Sequence, residues 1–405
     1  MRAWHHPDLP RLPGTGPIPT VHETASGAKT KLSISGTATI YVCGITPYDA
    51  THIGHANTYL AFDTLNRLLR DAGYQVQYAQ NTTDVDDPLL ERAAATGRDW
   101  RELAEEQTEL FRRDMEALSI VPPDHFIPVT ERIDEISAAV AQLVEQGTGY
   151  RVEDDVYFDI AAAQESSPWV LGEGSHLDAE TMLALSAERG GDPDRPGKRD
   201  PLDPLLWRAE RPGEPSWPSP VGPGRPGWHI ECSVLAQLVL DVPLTVKGGA
   251  QDLIFPHHEF SAGHSAALSG SPLSCAYVHA GLVGYQGEKM SKSLGNLVFV
   301  RTLLDGGTDP RALRLALLAH HYREGWEWTD ADLEHAEARL AAWSSVGSFP
   351  ENASGKPLVD SLRETLADDL DTPAALALID ERVADGTSLS PLERDAIDAL
   401  LGIRL

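Results

Sequence analysis

A strand, a helix and a second strand follow one another early in this chain, and this succession constrains the fold more than any other feature. The β-branched run at 38–42 ends at Cys43-Gly44 and predicts a buried strand. Helical spacing of leucines follows over 52–72 and stops at Gly73, and 75–80 predicts the next strand. Because two strands joined through a helix form a βαβ unit, the sequence predicts a parallel sheet.

The remaining hydrophobic pattern predicts more helix than strand. Residues 186–227 are rich in Gly, Pro, Asp and Arg and predict mostly loop. From residue 309 to the end the pattern is helical. Elsewhere the spacing predicts helices over 89–118, 131–146 and 257–268 and strands over 152–160 and 244–246.

The segment His52-Ile53-Gly54-His55 opens the helix that follows the first strand. Two histidines three residues apart share one helical face. A helix N-terminus offers free N–H groups and a partial positive charge, which suit phosphate oxygens. Gly54 leaves room for a flat group such as adenine. An isolated match of four residues is equally compatible with a polar helix cap.

A second motif, Lys289-Met290-Ser291-Lys292-Ser293, lies between Gly287 and Gly295. Two ammonium groups in a glycine-flanked loop can close on a triphosphate and stabilise the charge of the leaving pyrophosphate. Alone, such a segment is usually a solvated turn. Together and in this order, the two motifs resemble the HIGH and KMSKS sequences of class I aminoacyl-tRNA synthetases, which implies His52, His55, Lys289 and Lys292 as catalytic residues.

A candidate metal site combines Cys43, Cys232 and one of the paired histidines His257 and His258. Zinc prefers thiolate and imidazole ligands, and a catalytic zinc site keeps one position open. A cysteine substrate could fill that position as thiolate, and zinc would bind its sulfur far better than a serine hydroxyl. Each cysteine taken singly is more often a buried small hydrophobe. We expect that structural role for Cys275, and the odd, widely spaced cysteines predict no disulfide framework.

Residues 38–330 resemble the core of the cysteinyl-tRNA synthetases. The matching segments are 43–49 running into the HIGH motif, 81–87, 155–159, 227–233, 252–259 and 287–296. In that family two cysteines, the first of the paired histidines and a glutamate four residues later bind zinc. The resemblance therefore implies Cys43, Cys232 and His257 as ligands. Ser261 stands at the glutamate position, so we expect three protein ligands, with substrate sulfur or water as the fourth.

The same resemblance implies an α/β fold with a class I synthetase-type Rossmann (HUP-like) parallel sheet. A chain of 405 residues is too long for one compact core. We expect a lead-in over 1–35, the two halves of the catalytic domain over 36–125 and 216–305, a connective insertion over 126–215 and a C-terminal helical bundle over 306–405.

Several positions depart from the tRNA synthetases. Ile45-Thr46-Pro47 replaces their usual Pro-Thr-Val, Ser261 replaces the glutamate, 188–193 reads Glu-Arg-Gly-Gly-Asp-Pro, and the chain ends soon after the helix at 309–314. These departures resemble the ligases of mycothiol biosynthesis, which join cysteine to glucosaminyl-inositol (GlcN-Ins). The formal net charge of −28 fits, because a small sugar amine needs no basic groove. Two alternatives stay open: a cysteinyl-tRNA synthetase and a catalytically silent binding module.

The resemblance implies that ATP, with Mg²⁺, activates L-cysteine as cysteinyl-AMP on a protein with one zinc ion, and that the GlcN-Ins amine then forms the amide. The implied adenylate contacts are Cys43, Gly44, Ile45, Thr46, Thr58, Asn81, Thr82, Thr83, Trp228, Ala250, Gln251, Asp252 and Val283. Trp228 could instead fill the core, and Asp86 and Asp87 could be a helix N-cap ahead of Pro88.

The expected partners are small molecules, with no tRNA and no membrane. No stretch approaches the ~20 apolar residues of a membrane span, and the N-terminus lacks the apolar region of a secretory signal. We therefore expect a cytoplasmic monomer.

Overall fold

The computed structural model describes residues 1–290, 296–346, 355–386 and 388–405. A five-stranded parallel sheet lies at its centre and confirms the predicted α/β fold. Numbered along the chain, the strands lie in the order 5-4-1-2-3, so the direction of winding reverses between strands 1 and 4. Ligands of such sheets bind outside the carboxyl ends of the strands at this switch point. In spatial order the strands are Tyr277–Ala280, Val246–Ala250, Ala38–Ile45, Val76–Thr82 and His125–Pro128.

Helices cover both faces of this sheet. The helix predicted over 52–72 is confirmed as Ile53–Asp71, and it connects the first two strands. The single helical pattern predicted over 89–118 is two helices, because Gly97 ends the first with a left-handed φ of 66° and Asp99 caps the second. The other sheet-associated helices are Asp87–Thr96, Trp100–Ala117, Ile133–Gln146, Trp228–Val239 and Glu259–Ser269.

The hydrophobic core consists mainly of two clusters, to which the central strand contributes alternate side chains. Ile40 and Val42 belong to the first cluster, together with much of the C-terminal helical part. Tyr41 and Cys43 belong to the second, together with the insertion. Because successive side chains of a strand point to opposite faces, this alternation aims Cys43 at the face that carries the helix Trp228–Val239.

The insertion contains an antiparallel sheet that the sequence predicted only in part. Its strands in order are Gly149–Val152, Asp155–Phe158, Leu205–Ala209 and Gly224–Pro226. The expectation of loop over 186–227 was therefore wrong for the last two strands. The glycine at position 224 contributed to the prediction of loop, but here it allows two strands to approach closely. A Cβ at this position would lie 2.1 Å from the Arg208 carbonyl oxygen. The lead-in is also less irregular than predicted, since Thr20–Glu23 pairs with Ala28–Lys31.

A buried ionic cluster joins the sheet to the C-terminal helical part. Asp63 accepts a hydrogen bond from Arg67 Nε at 2.8 Å and another from Arg314, and all three side chains are inaccessible to solvent or nearly so. Arg314 also donates to the Leu401 carbonyl at 2.6 Å. The C-terminal helices are Val300–Asp305, Pro310–Leu318, Asp330–Ser345, Lys356–Ala367, Thr372–Ala384 and Pro391–Leu401. A small three-stranded sheet consists of Val283–Tyr285 and Glu288–Lys289, which precede these helices in the chain, and Trp326–Glu327, which lies between the second and the third of them.

The helices within the described ranges are each too short or too polar to cross a bilayer.

Candidate active site

A cavity of about 400 Å³ opens at the carboxyl end of the first strand, beside the switch point. His52 and His55 line it from the start of the helix Ile53–Asp71 and share one face, as predicted, with their rings stacked at 3.8 Å. Packing also favours glycine at position 54, because a Cβ there would lie 3.0 Å from the His52 ring. The helix N-terminus thus faces the cavity with two imidazoles and open backbone.

The cavity brings together most of the residues predicted to contact the adenylate. Those in its wall are Cys43, Gly44, Ile45, Thr46, Thr58, Trp228, Ala250, Asp252 and Val283. Gln251 is exposed and lies outside the wall. Sequence reasoning missed Tyr48, Tyr59, Leu253 and Met290, which also line the cavity. Tyr48, Leu253 and Met290 lie within the segments matched to the family, but no local pattern distinguishes them from their neighbours as cavity residues, and Tyr59 belongs to no motif.

Asn81, Thr82 and Thr83 are buried behind the cavity wall rather than in it. Asn81 Oδ1 accepts a hydrogen bond from the Gly44 N–H at 2.8 Å. The two strands approach so closely here that a Cβ on Gly44 would lie 1.6 Å from the Asn81 carbonyl oxygen. Thr83 Oγ1 in turn lies 3.1 Å from Asn81 Nδ2. These polar residues support the wall beside Cys43, and a substitution at Gly44 would displace it.

Cys43, Cys232 and His257 form a fully buried cluster that could hold a metal ion. Their ligand atoms lie within 4.8 Å of one another, although the residues come from three elements. Cys43 is on the first strand and Cys232 is on the helix Trp228–Val239. His257 lies in the kinked segment Ile254–His258, in which Phe255 has an extended backbone. This is the grouping that the sequence predicted.

The two thiols of this cluster differ in their electrostatic environment. Burial raises the pKa of Cys43, but the hydrogen bond with Cys232 and the Lys247 ammonium at 3.3 Å outweigh it, so the pKa lies below its usual value. Burial, then the neighbouring Cys43, raise the pKa of Cys232. The sulfur atoms are 3.7 Å apart. Cys43 is therefore the thiol of the pair that ionises first as the pH rises.

The imidazoles of His257 and His258 have different neighbours. His257 Nδ1 lies 3.2 Å from His229 Nδ1, and the Trp228 ring stacks on His257 at 4.4 Å. Such neighbours fix the orientation of a metal-binding imidazole. His258, the other sequence candidate, lies 3.2 Å from Cys43 Sγ through Nε2 and 2.7 Å from His279 through Nδ1. His258 thus supports Cys43 from behind.

Ser261 occupies the position at which the cysteinyl-tRNA synthetases carry their zinc-binding glutamate. Its hydroxyl donates to the His258 carbonyl at 3.2 Å, and its carbonyl accepts from Ser233. The hydroxyl is therefore engaged in holding the helix start. Cys275 corrects one expectation: it is exposed rather than buried, since it precedes the strand Tyr277–Ala280 at the surface.

Lys292 lies outside the described residues, and of Lys289 only the backbone is described, as the end of the strand Glu288–Lys289. Their predicted contacts with phosphate therefore stay predictions. Met290, the next residue, lines the cavity. The chain accordingly enters this motif at the rim of the cavity that contains His52 and His55.

Comparison with known proteins first defines the class. Residues 30–338 match the family described as tRNA synthetases class I (C) catalytic domain. The methionyl-tRNA synthetase of Mycobacterium tuberculosis in complex with methionyl-adenylate superposes with a TM-score of 0.61 at 17% identity, covering 91% of this chain and 89% of that chain. The chain therefore has the class I synthetase catalytic fold.

Relatives of full length then narrow the family. A protein of Clavibacter michiganensis subsp. michiganensis named L-cysteine:1D-myo-inositol 2-amino-2-deoxy-alpha-D-glucopyranoside ligase is 60% identical over 100% of this chain and 99% of its own length. The protein of that name from Clavibacter sepedonicus is 62% identical over 91% of this chain and 95% of its own. This chain belongs to the family of these ligases, a branch of the class I synthetase group.

Proposed function

We propose that this protein activates L-cysteine with ATP as cysteinyl-AMP and transfers the cysteinyl group to the amine of GlcN-Ins, releasing pyrophosphate and AMP. One observation carries the proposal: Cys43, which belongs to the cluster with Cys232 and His257, lines the cavity that His52 and His55 also line. A thiol-selective centre thus adjoins a nucleotide-type site. The names of the full-length relatives supply the acceptor.

The donor set suits zinc. In a tetrahedral site with Zn–S bonds of ~2.3 Å, two sulfur ligands lie about 3.8 Å apart. The observed separation of Cys43 Sγ and Cys232 Sγ is 3.7 Å. When bound, zinc would take the substrate thiol as thiolate in its open position and discriminate against serine. His257 would complete the protein ligands, oriented by His229 and Trp228.

In the first half-reaction the chain binds and orients two substrates. The N-terminus of the helix Ile53–Asp71, with His52 and His55, would receive the phosphates. Lys289 and Lys292 would close on the triphosphate and stabilise the departing pyrophosphate, assisted by Mg²⁺. The substrate carboxylate oxygen attacks the α-phosphorus, the bond from that phosphorus to pyrophosphate breaks, and cysteinyl-AMP remains in the 400 Å³ cavity.

In the second half-reaction the neutral amine attacks the activated carbonyl. A carbon–nitrogen bond forms, the carbon–oxygen bond to AMP breaks, and the amine nitrogen loses a proton to solvent. Binding both partners in one cleft removes much of the entropic cost of their encounter. Trp228 and Thr46 lie at the cavity wall where an approaching amine would pass.

Two assays test the proposal in sequence. Cysteine-dependent ATP–pyrophosphate exchange measures the first half-reaction, and a protein without exchange is not a cysteine-activating enzyme. AMP release with GlcN-Ins and with cysteine-specific tRNA then compares acceptors. Release that depends on GlcN-Ins supports the proposal, whereas release driven by tRNA alone would identify a tRNA synthetase instead.

Zinc content is measured by atomic emission on purified protein. We expect about one zinc per chain, lost in Cys232→Ala and kept in Cys275→Ala, a matched change at an exposed cysteine outside the cluster. A metal-free protein with full exchange activity would contradict the role of zinc.

A further inference from the structure

A second cavity, of about 770 Å³, lies between the inserted sheet and the central sheet. Its size is in the range of small-molecule sites. Thr46, Tyr48 and Trp228 line both this cavity and the 400 Å³ cavity described above. The two spaces thus share one wall, and Trp228 in that wall stacks on His257 of the metal cluster at 4.4 Å.

Most cations in the wall of the second cavity are already paired with carboxylates. Arg211 binds Asp155 at 2.9 Å and Arg195 binds the same carboxylate at 2.7 Å. Lys198 lies 3.1 Å from Asp192, whose carboxylate also accepts from the Tyr157 hydroxyl. A wall of this kind offers fixed donors and acceptors without a surplus of positive charge. It therefore suits hydroxyl groups better than phosphates.

Asp86 gives one end of this cavity a negative character. It N-caps the helix Asp87–Thr96, as the sequence allowed, and its Oδ1 accepts from the Asp87 N–H at 2.8 Å. Burial, then the Asp49, Asp86 and Asp252 carboxylates, raise the pKa of Tyr48. Asp86 and Tyr48 both line this cavity, and Tyr48 also belongs to the wall shared with the first cavity.

Resting on the function proposed above, we propose that the 770 Å³ cavity is the acceptor site. It binds a polyhydroxylated ring compound whose only charged group is one primary ammonium. The ammonium group is held at Asp86, beside the shared wall of Thr46, Tyr48 and Trp228, and the paired Arg and Asp side chains bind the ring hydroxyls. Once the nitrogen has lost a proton to solvent, this orientation points its lone pair at the carbonyl of an adenylate whose thiol would be held at the metal cluster.

The residues of the Glu188–Pro193 segment acquire a role in this arrangement. Arg189 donates to the Asp252 carbonyl at 2.5 Å and to the Phe255 carbonyl, on the chain that leads to His257. Asp192 lines the same cavity and lies between Tyr157 and Lys198. The segment therefore lines the proposed acceptor site and also contacts the backbone that leads to the metal ligand His257.

Two variants and one control test the site, with GlcN-Ins as the amine. Asp86→Asn keeps the N-cap oxygen but removes the charge. Arg208→Gln changes a half-buried wall residue whose Nε has no hydrogen-bond partner among the described residues. Asp99→Asn is the matched control, because Asp99 also N-caps a helix but lines neither cavity.

We expect the KM for GlcN-Ins to rise about tenfold or more in Asp86→Asn, the effect of losing one charge-assisted contact. Cysteine-dependent exchange should stay within about twofold of wild type, and Asp99→Asn should change neither quantity. A deamino analogue of GlcN-Ins, with hydroxyl in place of amine, serves as competitive inhibitor. Asp86→Asn should leave its inhibition constant unchanged within about twofold, whereas Arg208→Gln should weaken both ligands, as expected when a wall contact is lost.

An unaltered KM for GlcN-Ins in both variants would overturn the site. Equal weakening of the amine and its deamino analogue by Asp86→Asn would overturn the placement of the ammonium. A wild-type protein that shows exchange but forms no amide with GlcN-Ins would instead refute the proposed function. If Asp86→Asn also loses exchange, and hence its fold, Arg208→Gln decides the location alone.

Discussion

Metal affinity of the Cys43, Cys232 and His257 cluster should depend on pH in a manner set by one shared thiol proton. Cys43, beside the Lys247 ammonium, has a lowered pKa, and Cys232 has a raised one. Above the Cys43 pKa of about 7, the metal-free pair therefore holds about one proton, which must leave because zinc binds thiolates. Displacing one proton makes the affinity about tenfold weaker, or ~1.4 kcal/mol, for each unit by which the pH falls.

Competition with a chromophoric chelator, repeated across the neutral range, measures this slope. Calorimetry in two buffers of different ionisation enthalpy counts the released protons independently. Below the lowered pKa of Cys43 the slope should steepen, because both thiols are then protonated. Affinity that does not change with pH would refute the reasoning, since it requires both sulfurs to be ionised in the metal-free protein.

The Lys247 contact offers a direct check on the cause. Lys247→Met removes the ammonium that lies 3.3 Å from Cys43 Sγ, so the Cys43 pKa should rise and proton release should increase toward about two. Cys275→Ser, at an exposed position, should leave the slope unchanged. An unaltered slope in Lys247→Met would show that the ammonium does not set the thiol asymmetry.

Three further substitutions have expected outcomes. Asp63→Asn leaves the Arg67 and Arg314 guanidiniums buried without their carboxylate, so denaturant unfolding should show a loss of about 3–5 kcal/mol. Burial raises the pKa of Asp63, but both arginines outweigh it and lower that pKa; its stabilisation is thus present above the unfolded-state pKa and lost as the pH falls through the folded-state value. Trp228→Ala should slow exchange and amide formation alike by roughly three- to tenfold, because the indole stacks on His257 and lines both cavities. Lys289→Ala should lower exchange by about 10²-fold with zinc content unchanged, and a normal exchange rate would contradict its assignment.

Local patterns predicted the elements that carry their own periodicity. The helix Ile53–Asp71 and its flanking strands were predicted because leucine spacing and β-branched runs report burial directly. The strand Gly224–Pro226 was missed because Gly and Pro there serve close approach to a neighbouring strand rather than a turn. The prediction that Cys275 is buried was wrong because it rested on the general preference of cysteine for the core. The exposure of a particular cysteine depends on which chain segments pack against it, and the sequence does not show this.

The candidate site was predictable where a residue belongs to a segment that matches a known family. Cys43, Cys232 and His257 were grouped through the resemblance to the cysteinyl-tRNA synthetases, because their wide spacing alone indicates only a weak metal site, and their ligand atoms lie within 4.8 Å of one another. Lys247 could not be found in this way, because a lysine in a strand normally indicates an exposed edge. Its burial becomes understandable only in three dimensions, where Cys43 Sγ lies 3.3 Å away and the Tyr41 ring 4.4 Å away.

The two cavities differ in how much of their function a motif can reveal, and the reason lies in the fold. The first lies at the switch point of the parallel sheet, where the connections that follow strands 1 and 4 leave on opposite faces and open a crevice. The segment His52 to His55 begins the helix after strand 1, so a local pattern indicates this cavity. The second is walled by the insertion, whose ion pairs bring together distant positions such as Asp155 and Arg211. Such pairs leave no local pattern, and acceptor choice can therefore change between relatives while the motifs of activation stay the same.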